Sequence, residues 1–342
     1  MKLSFKNDYS EGCHPSILHA LATSNLEQHD GYGLDAFSEN ASKLILKQMG
    51  NYTADIHFVA GGTQANLLVI SSILKPFESV ISVETGHIAE HEAGAIEATG
   101  HKINTVAGEN GKLTVPAIET VLSQHQIVPH QVKPKLVYIS NSTELGTIYT
   151  HAELKALSDY CRAHDLYLYM DGARLGQALV AKENDLSLND ISVFTDAFYI
   201  GGTKNGALLG EAIVITNKEL QNGFDFVMKQ RGALLSKGRL LGIQFETLFQ
   251  ENLYFQLATH ANHQAMKIKQ ALKEKGILFW VETTTNQLFP ILTQSQIETL
   301  ECLFQFYIWQ KLNENESVIR LITSWATPEE HTHALIDAIH QL

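Results

Sequence analysis

Three polar side chains that could bind and activate a cofactor follow two short apolar runs of this sequence. The run 166–170 is followed by Asp171 and Arg174, and the run 197–201 leads to Lys204. Buried strands of an α/β sheet deliver polar side chains in this way to a pocket at their carboxyl ends. A lysine can form a Schiff base, and an aspartate can keep a pyridine nitrogen protonated so that the ring accepts electrons. The combination is what a pyridoxal 5'-phosphate (PLP) site requires.

Each of these residues also has an ordinary explanation when it is taken alone. Asp171 could cap a helix, and Lys204 could be one more solvated surface lysine. Only their occurrence together, at the ends of two predicted strands, favours a PLP site over these structural roles.

A glycine turn earlier in the chain is a candidate phosphate site. The strand predicted at 55–60 leads through Gly61, Gly62 and Thr63 into an apolar helix at 64–74. A helix start exposes free backbone N–H groups and the positive end of the helix dipole, and both suit a phosphate. The turn is neither a P-loop nor a dinucleotide GxGxxG motif. A plain helix N-terminus explains it equally well.

Two further features, a pair of histidines and an arginine, each allow two interpretations. His87 and His91 would share a helix face, but their His-x-x-x-His-Glu order is not the zincin motif and no third ligand is apparent. We therefore expect no metal. Arg320 lies in an apolar predicted strand, where an arginine costs desolvation energy unless an anion meets it. A structural ion pair and a bound ligand carboxylate explain Arg320 about equally well.

Composition excludes several classes of partner. The 342 residues have a formal net charge of −12 without long runs of one sign, which argues against nucleic acid and anionic membranes as main partners. The three cysteines are far apart and lack metal spacing, which indicates a reducing compartment. No run of 18 apolar residues and no secretory h-region occur. The sequence predicts a cytoplasmic protein with a small-molecule ligand.

The order of elements predicts a large α/β domain and a small one. Strands and helices alternate through the first two thirds of the chain, as in a mostly parallel sheet covered on both faces. Capping boxes are predicted at 150–153 and 327–330, the second with proline at N1, and 251–256 is interpreted as continuing helix. The predicted domains are a large domain 1–245 with an N-terminal arm 1–14, a linking helix 246–275, and a small α+β domain 276–342.

Taken together, these motifs resemble the L-threonine aldolase family, whose members are fold-type I PLP enzymes related to the β-eliminating lyases. The resemblance covers nearly the whole chain. Its most specific parts are the Gly-Thr-x-Ala-Asn turn at 62–66, the run 87–94, Asp171-Gly-Ala-Arg174 and the Lys204 loop. It implies an aspartate aminotransferase-like large domain with a mostly parallel sheet and a small C-terminal α+β domain. It also implies homodimers or homotetramers with sites at subunit interfaces.

The resemblance implies a role for each matching residue. Lys204, His87 and Asp171 would be catalytic, with Lys204 carrying the cofactor, Asp171 bonding its ring nitrogen and His87 stacking on the ring. The remaining expected contacts are to the cofactor (Gly62, Thr63, Thr203 and Arg174) and to the amino acid substrate (Asn7, Ser10, Tyr32, Arg174 and Arg320), with Tyr32 coming from a neighbouring subunit.

The implied reaction is cleavage of threonine or a related β-hydroxy-α-amino acid to glycine and an aldehyde. The base that takes the β-hydroxyl proton stays open: His87, a water held by His87 or His91, and a phosphate oxygen are all candidates. Many family members have a histidine in the segment that here reads Asn141-Ser-Thr-Glu-Leu-Gly146, so no role of that histidine can be transferred.

Several alternative functions are compatible with the same residues. A β-eliminating lyase or a phenylserine-type aldolase would use the same scaffold and differ only in the group that acts on Cβ. A catalytically inactive remnant of the fold that binds a ligand is a further alternative, but the presence of the lysine, the aspartate and both arginines argues against it, because a fold needs none of them. A protein that binds some other phosphorylated ligand at the Gly61 turn would leave Lys204 without a role.

Overall fold

The structure, a computed structural model, describes residues 2–342. The β-strands are β1 (Leu3–Ser4), β2 (Asp55–Val59), β3 (Glu78–Val83), β4 (Ile103–Val106), β5 (Lys133–Ser140), β6 (Tyr167–Asp171), β7 (Ala197–Gly201), β8 (Glu211–Ile215), β9 (Phe279–Val281), β10 (Gln287–Thr293), β11 (Phe304–Gln305), β12 (Tyr307–Lys311) and β13 (Glu316–Ile322). The α-helices are α1 (Pro15–Thr23), α2 (Ala36–Met49), α3 (Gly62–Ile73), α4 (His87–Glu90), α5 (Val115–Gln124), α6 (His151–Ala163), α7 (Leu175–Leu179), α8 (Leu188–Phe194), α9 (Lys218–Gln221), α10 (Phe224–Gln230), α11 (Arg239–Phe249), α12 (Leu253–Glu274), α13 (Gln294–Glu301) and α14 (Glu329–His340).

The main sheet brings distant segments of the chain to one edge. Its strands follow the order β2-β8-β7-β6-β5-β3-β4, with β3 to β7 parallel to one another and β8 antiparallel to both of its neighbours. Asp171 pairs with Ser140, and Glu211 pairs with both Gly201 and Val59. The ends of β2, β5, β6 and β7 and the start of β8 therefore lie side by side, and their loops share one edge.

The strands of this sheet are buried on both faces. Val137 and Ile139 of β5 pack into one core with α2, α6 and α11. Leu136 and Tyr138 of the same strand pack on the opposite face with α3 and α10. Burial on both faces explains why the strands read as nearly continuous apolar runs.

The C-terminal residues form a smaller antiparallel sheet of order β12-β13-β10-β9, covered by α12, α13 and α14. The N-terminal arm contacts this part of the molecule: β1 pairs with β11, and Phe5 lies in the smaller core. The domain boundaries 1–245, 246–275 and 276–342 stay a prediction. Within the part of the chain that the structure describes, no helix is long and apolar enough to cross a membrane.

One of the two predicted capping boxes is confirmed and the other is wrong. The Thr150 hydroxyl accepts the N–H of Glu153, and the Glu153 carboxylate accepts the N–H of Thr150. At the second site Pro328 is the N-cap and no side chain caps α14. The Thr327 hydroxyl oxygen accepts the N–H of Ser324 at 2.7 Å instead, which holds Thr327 in the preceding turn.

The helix predicted to continue through 251–256 is interrupted. Glu251 and Asn252 have φ angles of 51° and 59°, and α12 starts only after them. The change of direction lets Tyr254 stack on Phe249 with ring centroids 5.1 Å apart. The apolar residues of this segment therefore pack at a corner between two helices and do not belong to one continuous helix.

Candidate active site

Asp171 accepts four hydrogen bonds at the carboxyl end of β6, where it is 3% exposed. Its Oδ1 accepts the Tyr199 hydroxyl at 2.5 Å and the Ala173 N–H at 3.0 Å. Its Oδ2 accepts the Tyr138 hydroxyl at 2.7 Å and the Asn66 side-chain amide at 3.0 Å. These donors come from three strands or strand ends and from α3, so the carboxylate is fixed from several directions.

Asp171 stays ionised despite its burial. Burial acts to raise the pKa of this carboxyl, but the charge of His87 and the hydrogen bonds from Tyr138 and Tyr199 outweigh it, and the pKa is lowered. Burial, together with the Asp171 charge, raises the pKa of both tyrosines well above the usual value, so they remain donors. A buried, ionised carboxylate at a strand end is suited to stabilise a protonated ring nitrogen.

His87 is connected to Asp171 through Glu92 and Asn66. Glu92 Oε1 bonds His87 Nδ1 at 2.8 Å and accepts the Asn66 amide at 2.7 Å, and that amide also reaches Asp171. Tyr169 donates to the Asn66 oxygen at 3.0 Å, which fixes the amide orientation. The group contains two buried carboxylates, Asp171 and Glu92, and a single histidine to balance their charge. A protonated pyridine ring would supply the missing positive charge, so these residues fit PLP.

Lys204 lies in the loop after β7 among charges of both signs. Burial and the positive charge of Arg174 lower the pKa of its amine, while Asp8, Glu144 and Asp171 oppose that shift. The net lowering increases the fraction of neutral amine, which is the form that attacks a carbonyl carbon. Lys204 therefore has the surroundings that covalent attachment of a cofactor requires.

The turn at the start of α3 lies beside this group. Gly61 is the N-cap and makes no side-chain capping bond. A Cβ built on Gly62 would lie 3.0 Å from the Tyr199 hydroxyl, so the helix start lies against a partner of Asp171. Thr63 is exposed, whereas the Thr203 hydroxyl oxygen accepts the Gly210 N–H at 3.0 Å. The free N–H groups of this turn can donate hydrogen bonds to a phosphate.

Arg174 is already paired within the protein. Its Nε and Nη2 donate to the two oxygens of Asp8 at 2.7 and 3.1 Å, and Asn286 donates to Asp8 at 2.9 Å. Burial acts to lower the pKa of Arg174, but the Asp8 and Glu144 charges outweigh it and raise the pKa. Sequence reasoning missed Asp8, which pairs with a residue 166 positions away.

The other residues expected to bind substrate take different positions. Asn7 Oδ1 accepts the Ser10 hydroxyl at 2.8 Å, so these two stabilise the local turn around Asp8. Tyr32 lines a separate cavity of about 480 Å³ with His57, and the Lys229 ammonium lies 4.5 Å from the centre of its ring. Within one subunit, Tyr32 is therefore not among the residues that line the cavity beside Arg320.

Arg320 has a donor available for a ligand. Its guanidinium carbon lies 4.8 Å from the centre of the Trp309 ring and 5.5 Å from that of Tyr307. Its Nε is buried without a hydrogen-bond partner. Burial and the charge of Arg174 lower the pKa of Arg320, so an anion at this position would relieve both effects. Arg320 and His91 line one cavity of about 530 Å³.

A metal site is not supported at the two histidines. The rings of His87 and His91 are 5.6 Å apart in an edge-on arrangement, and His87 Nδ1 is occupied by Glu92. Within residues 2–342, no group of three His, Cys, Asp or Glu side chains is placed to hold a metal ion.

Glu211 is a buried acid that is protonated at neutral pH. It lies at the start of β8, is 5% exposed and accepts the Gly202 N–H at 2.9 Å. Burial raises the pKa of Glu211 to about 8, although bonds from Thr203 and Gly202 oppose that shift. Its proton therefore affects stability within an accessible pH range.

We expect Glu211→Gln to remove a pH-dependent loss of stability. Unfolded glutamate loses its proton near pH 4.5, whereas folded Glu211 keeps its proton up to about pH 8. The folded state binds the extra proton between these values, so raising the pH across this window destabilises the wild type. The variant should match the wild type closely at pH 5 and exceed its free energy of unfolding at pH 9 by on the order of 3–5 kcal/mol.

The measurement is denaturant unfolding of the cofactor-free protein at both pH values. Glu301→Gln, at an exposed position, is the matched control and should leave the pH dependence as in the wild type. Identical pH profiles for Glu211→Gln and the wild type would contradict the assignment of the buried proton.

Comparison with known proteins gives consistent results. Residues 9–301 match the Beta-eliminating lyase family. A low specificity L-threonine aldolase of Pseudomonas aeruginosa is 32% identical over 335 residues, which cover 97% of this chain and 95% of the relative. A solved structure of Leishmania major threonine aldolase is 47% identical, covers 99% of each chain and superimposes with a TM-score of 0.98.

More distant structures share the fold alone. A double mutant of Thermus thermophilus aspartate aminotransferase is 13% identical and has a TM-score of 0.71, with 99% of this chain and 91% of that chain covered. The expected aspartate aminotransferase-like fold type I, with its mostly parallel sheet and small C-terminal α+β part, is therefore confirmed.

Proposed function

Because this chain belongs to the β-eliminating lyase family, we propose that it is a PLP-dependent L-threonine aldolase that cleaves β-hydroxy-α-amino acids to glycine and an aldehyde. One observation carries the proposal at the level of chemistry. An amine with a lowered pKa, Lys204, and a buried ionised carboxylate, Asp171, lie at the ends of adjacent parallel strands. A fold needs neither group at these positions, whereas a PLP enzyme needs both.

Different residues at the sheet edge would bind different parts of PLP. Lys204 would bond it covalently, Asp171 would hold its ring nitrogen, and His87 would cover one ring face. The N–H groups of the turn at Gly62 and Thr63, with the Thr203 hydroxyl beside Lys204, would hold its phosphate. When bound, PLP supplies a sink for the electron pair released at the substrate α-carbon.

Two arginines would orient the substrate through its carboxylate. Arg320 has a buried Nε without a partner, which makes it the stronger candidate for direct contact. Arg174 is held by Asp8 through Nε and Nη2, so its Nη1 would be the part that reaches a ligand. A carboxylate fixed at one end decides which α-carbon bond stands perpendicular to the ring, and only that bond breaks.

The assembly and compartment are also part of the proposal. Leu34 and Phe226 are 80% and 82% exposed, which supports a homodimer or homotetramer in which Tyr32 completes a neighbouring site. Cys13, Cys161 and Cys302 are free thiols, which supports the cytoplasm as the compartment.

Product analysis tests the proposed function directly. The purified protein with PLP should convert L-threonine or L-allo-threonine to equal amounts of glycine and acetaldehyde. Formation of pyruvate and ammonia from serine, without glycine from threonine, would show a β-eliminating lyase instead. The cavity of about 530 Å³ beside Trp309 and Arg320 favours a larger Cβ substituent, so phenylserine cleavage to benzaldehyde is the second candidate function.

We expect Arg320→Gln to weaken substrate binding more than it slows the bound complex. A charge-assisted hydrogen bond contributes about 1.5–3 kcal/mol, so KM for threonine should rise roughly 10- to 150-fold. The measurement is steady-state kinetics with threonine, together with the melting temperature. Arg162→Gln removes an exposed arginine on α6 and serves as the control. An unchanged KM would exclude Arg320 from carboxylate binding.

A further inference from the structure

A buried carboxylate in the active site has no hydrogen-bond donor of its own. Glu144 lies in the loop that follows β5 and is 8% exposed. Within the part of the chain that the structure describes, its side chain forms no hydrogen bond and no ion pair. Its charge nevertheless acts on the pKa values of His87, Arg174, Lys204 and Arg320, the cations that surround the site. Its oxygens are therefore free to accept a proton from a ligand.

The loop that carries Glu144 is fixed from the smaller sheet region. The Gly146 carbonyl oxygen accepts the Thr285 hydroxyl at 2.9 Å. The Thr143 carbonyl oxygen accepts the Gln287 side-chain amide at 3.3 Å. Anchors on both sides of Glu144 keep its backbone in place, so the free carboxylate is positioned and not simply mobile.

The other buried carboxylates close to the site are already engaged, protonated or out of reach of a ligand. Asp8 is held by an arginine and by an asparagine amide. Asp171 accepts four hydrogen bonds. Glu92 Oε1 bonds a histidine and an asparagine, and its Oε2 has no partner but belongs to a side chain with no exposed surface that a ligand could reach. Glu211 has a pKa of about 8 because of burial, so it already carries a proton at neutral pH. Glu144 is thus the carboxylate best placed to accept a proton.

His87 is poorly suited to accept the proton. Its Nδ1 is bonded to Glu92, and the hydrogen bond and the charges of Glu144 and Asp171 outweigh burial and raise its pKa. A raised pKa favours the protonated imidazole, which lacks the free lone pair that a base needs. Its charge suits covering and polarising a ring instead.

We infer that Glu144 is the general base that removes the β-hydroxyl proton during aldol cleavage, an inference that rests on the proposed function. The O–H bond breaks, its proton passes to a Glu144 oxygen, and its electron pair forms the second C–O bond of the aldehyde. The Cα–Cβ bond breaks, and its electron pair forms a C–H bond at Cα with an incoming proton. One proton leaves oxygen and one reaches carbon, so nothing is oxidised or reduced.

Glu144→Gln in the holoenzyme tests the inference, because it keeps the shape of the side chain and removes the base. We expect kcat for threonine to fall about 10²- to 10⁴-fold, the usual contribution of a general base. Glycine has no β-hydroxyl, so the absorbance change of the bound cofactor on adding glycine should occur at a glycine concentration within about threefold of the wild type. Glu301, an exposed glutamate at the end of α13 and away from this site, gives the control Glu301→Gln, with little change in either measurement.

Three results would overturn the inference. The first is a kcat for Glu144→Gln close to that of the wild type. The second is a loss of glycine binding in Glu144→Gln as large as its loss of turnover. The third is normal turnover in Glu144→Gln together with a loss of turnover in His91→Phe. If Glu144→Gln does not fold, Glu144→Asp replaces it: at least a tenfold fall in kcat with normal glycine binding supports the inference, and normal kcat overturns it. Failure of the wild type to cleave threonine would overturn the proposed function itself, which separates the two outcomes.

Discussion

Lys204→Ala should abolish both covalent attachment of PLP and cleavage of threonine. Lys204 lies in the loop after β7, where burial and the charge of Arg174 lower the pKa of its amine. Alanine has no amine to bond the cofactor and none to release the product from it, so turnover should fall by a factor of about 10³ or more. The measurements are the visible absorbance of the protein after dialysis from PLP and the rate of acetaldehyde formation.

A lysine at the opposite edge of the sheet provides the control. Lys135 on β5 is 8% exposed, and its ammonium donates to the Asp165 carbonyl oxygen at 2.6 Å. Lys135→Ala also removes a buried lysine, so it should cost stability without removing the cofactor. Retained absorbance and retained turnover in Lys204→Ala would show that another residue carries the cofactor.

Asp171→Asn should lose most of its turnover while it keeps part of its cofactor binding. Asparagine preserves the size of the side chain but removes the negative charge that keeps a ring nitrogen protonated. Removal of one preorganised electrostatic contact typically costs about 10²–10³ in kcat, and we expect a loss of at least ~10²-fold here. The amide NH₂ would also face the hydroxyl of Tyr138 or Tyr199, so the melting temperature should fall modestly.

The measurements are kcat for threonine and a titration of the cofactor-free variant with PLP. Asp196 is the matched control, because it accepts the Leu168 N–H and the Asn217 amide, both at 2.8 Å, at the far end of β7. Asp196→Asn should lower stability and leave kcat of the folded protein unchanged. Turnover of Asp171→Asn near the wild-type rate would remove the electron-sink role from Asp171.

The sheet and its active edge could be predicted because both depend on local sequence patterns. Runs of apolar residues that end in polar ones predicted β6 and β7, and the loops after them carry Arg174 and Lys204. The capping box at Thr150 was predictable because both of its hydrogen bonds join residues three positions apart. The prediction of a capping box at Thr327 was wrong because the same residue types can also form a turn. Here the Thr327 hydroxyl oxygen accepts the Ser324 N–H instead of capping the helix.

The partners of the predicted residues could not be read from the sequence. Asp8 meets Arg174, and Asn66 meets Asp171 and Glu92, only after the chain has folded. No local periodicity encodes such contacts, because they depend on the order of strands in the sheet.

The three tyrosines around Asp171 and Asn66 were missed for another reason. Tyr138, Tyr169 and Tyr199 lie on the same face of adjacent strands. In the sequence, each of them fits the apolar pattern of its strand and gives no sign of a polar role. The signal that could have found them is a hydroxyl placed a few residues before a strand end on each of three parallel strands, since a buried hydroxyl needs a partner.

Borohydride reduction of the wild-type protein loaded with PLP, followed by peptide mapping, tests the central claim most directly. Reduction makes the bond between the cofactor and its lysine permanent, so the modified peptide identifies the residue. We expect one phosphopyridoxyl group per chain, on Lys204, together with loss of the visible absorbance band. Absence of an adduct after addition of PLP, or an adduct on a different lysine, would contradict the assignment of this site and of the aldolase activity.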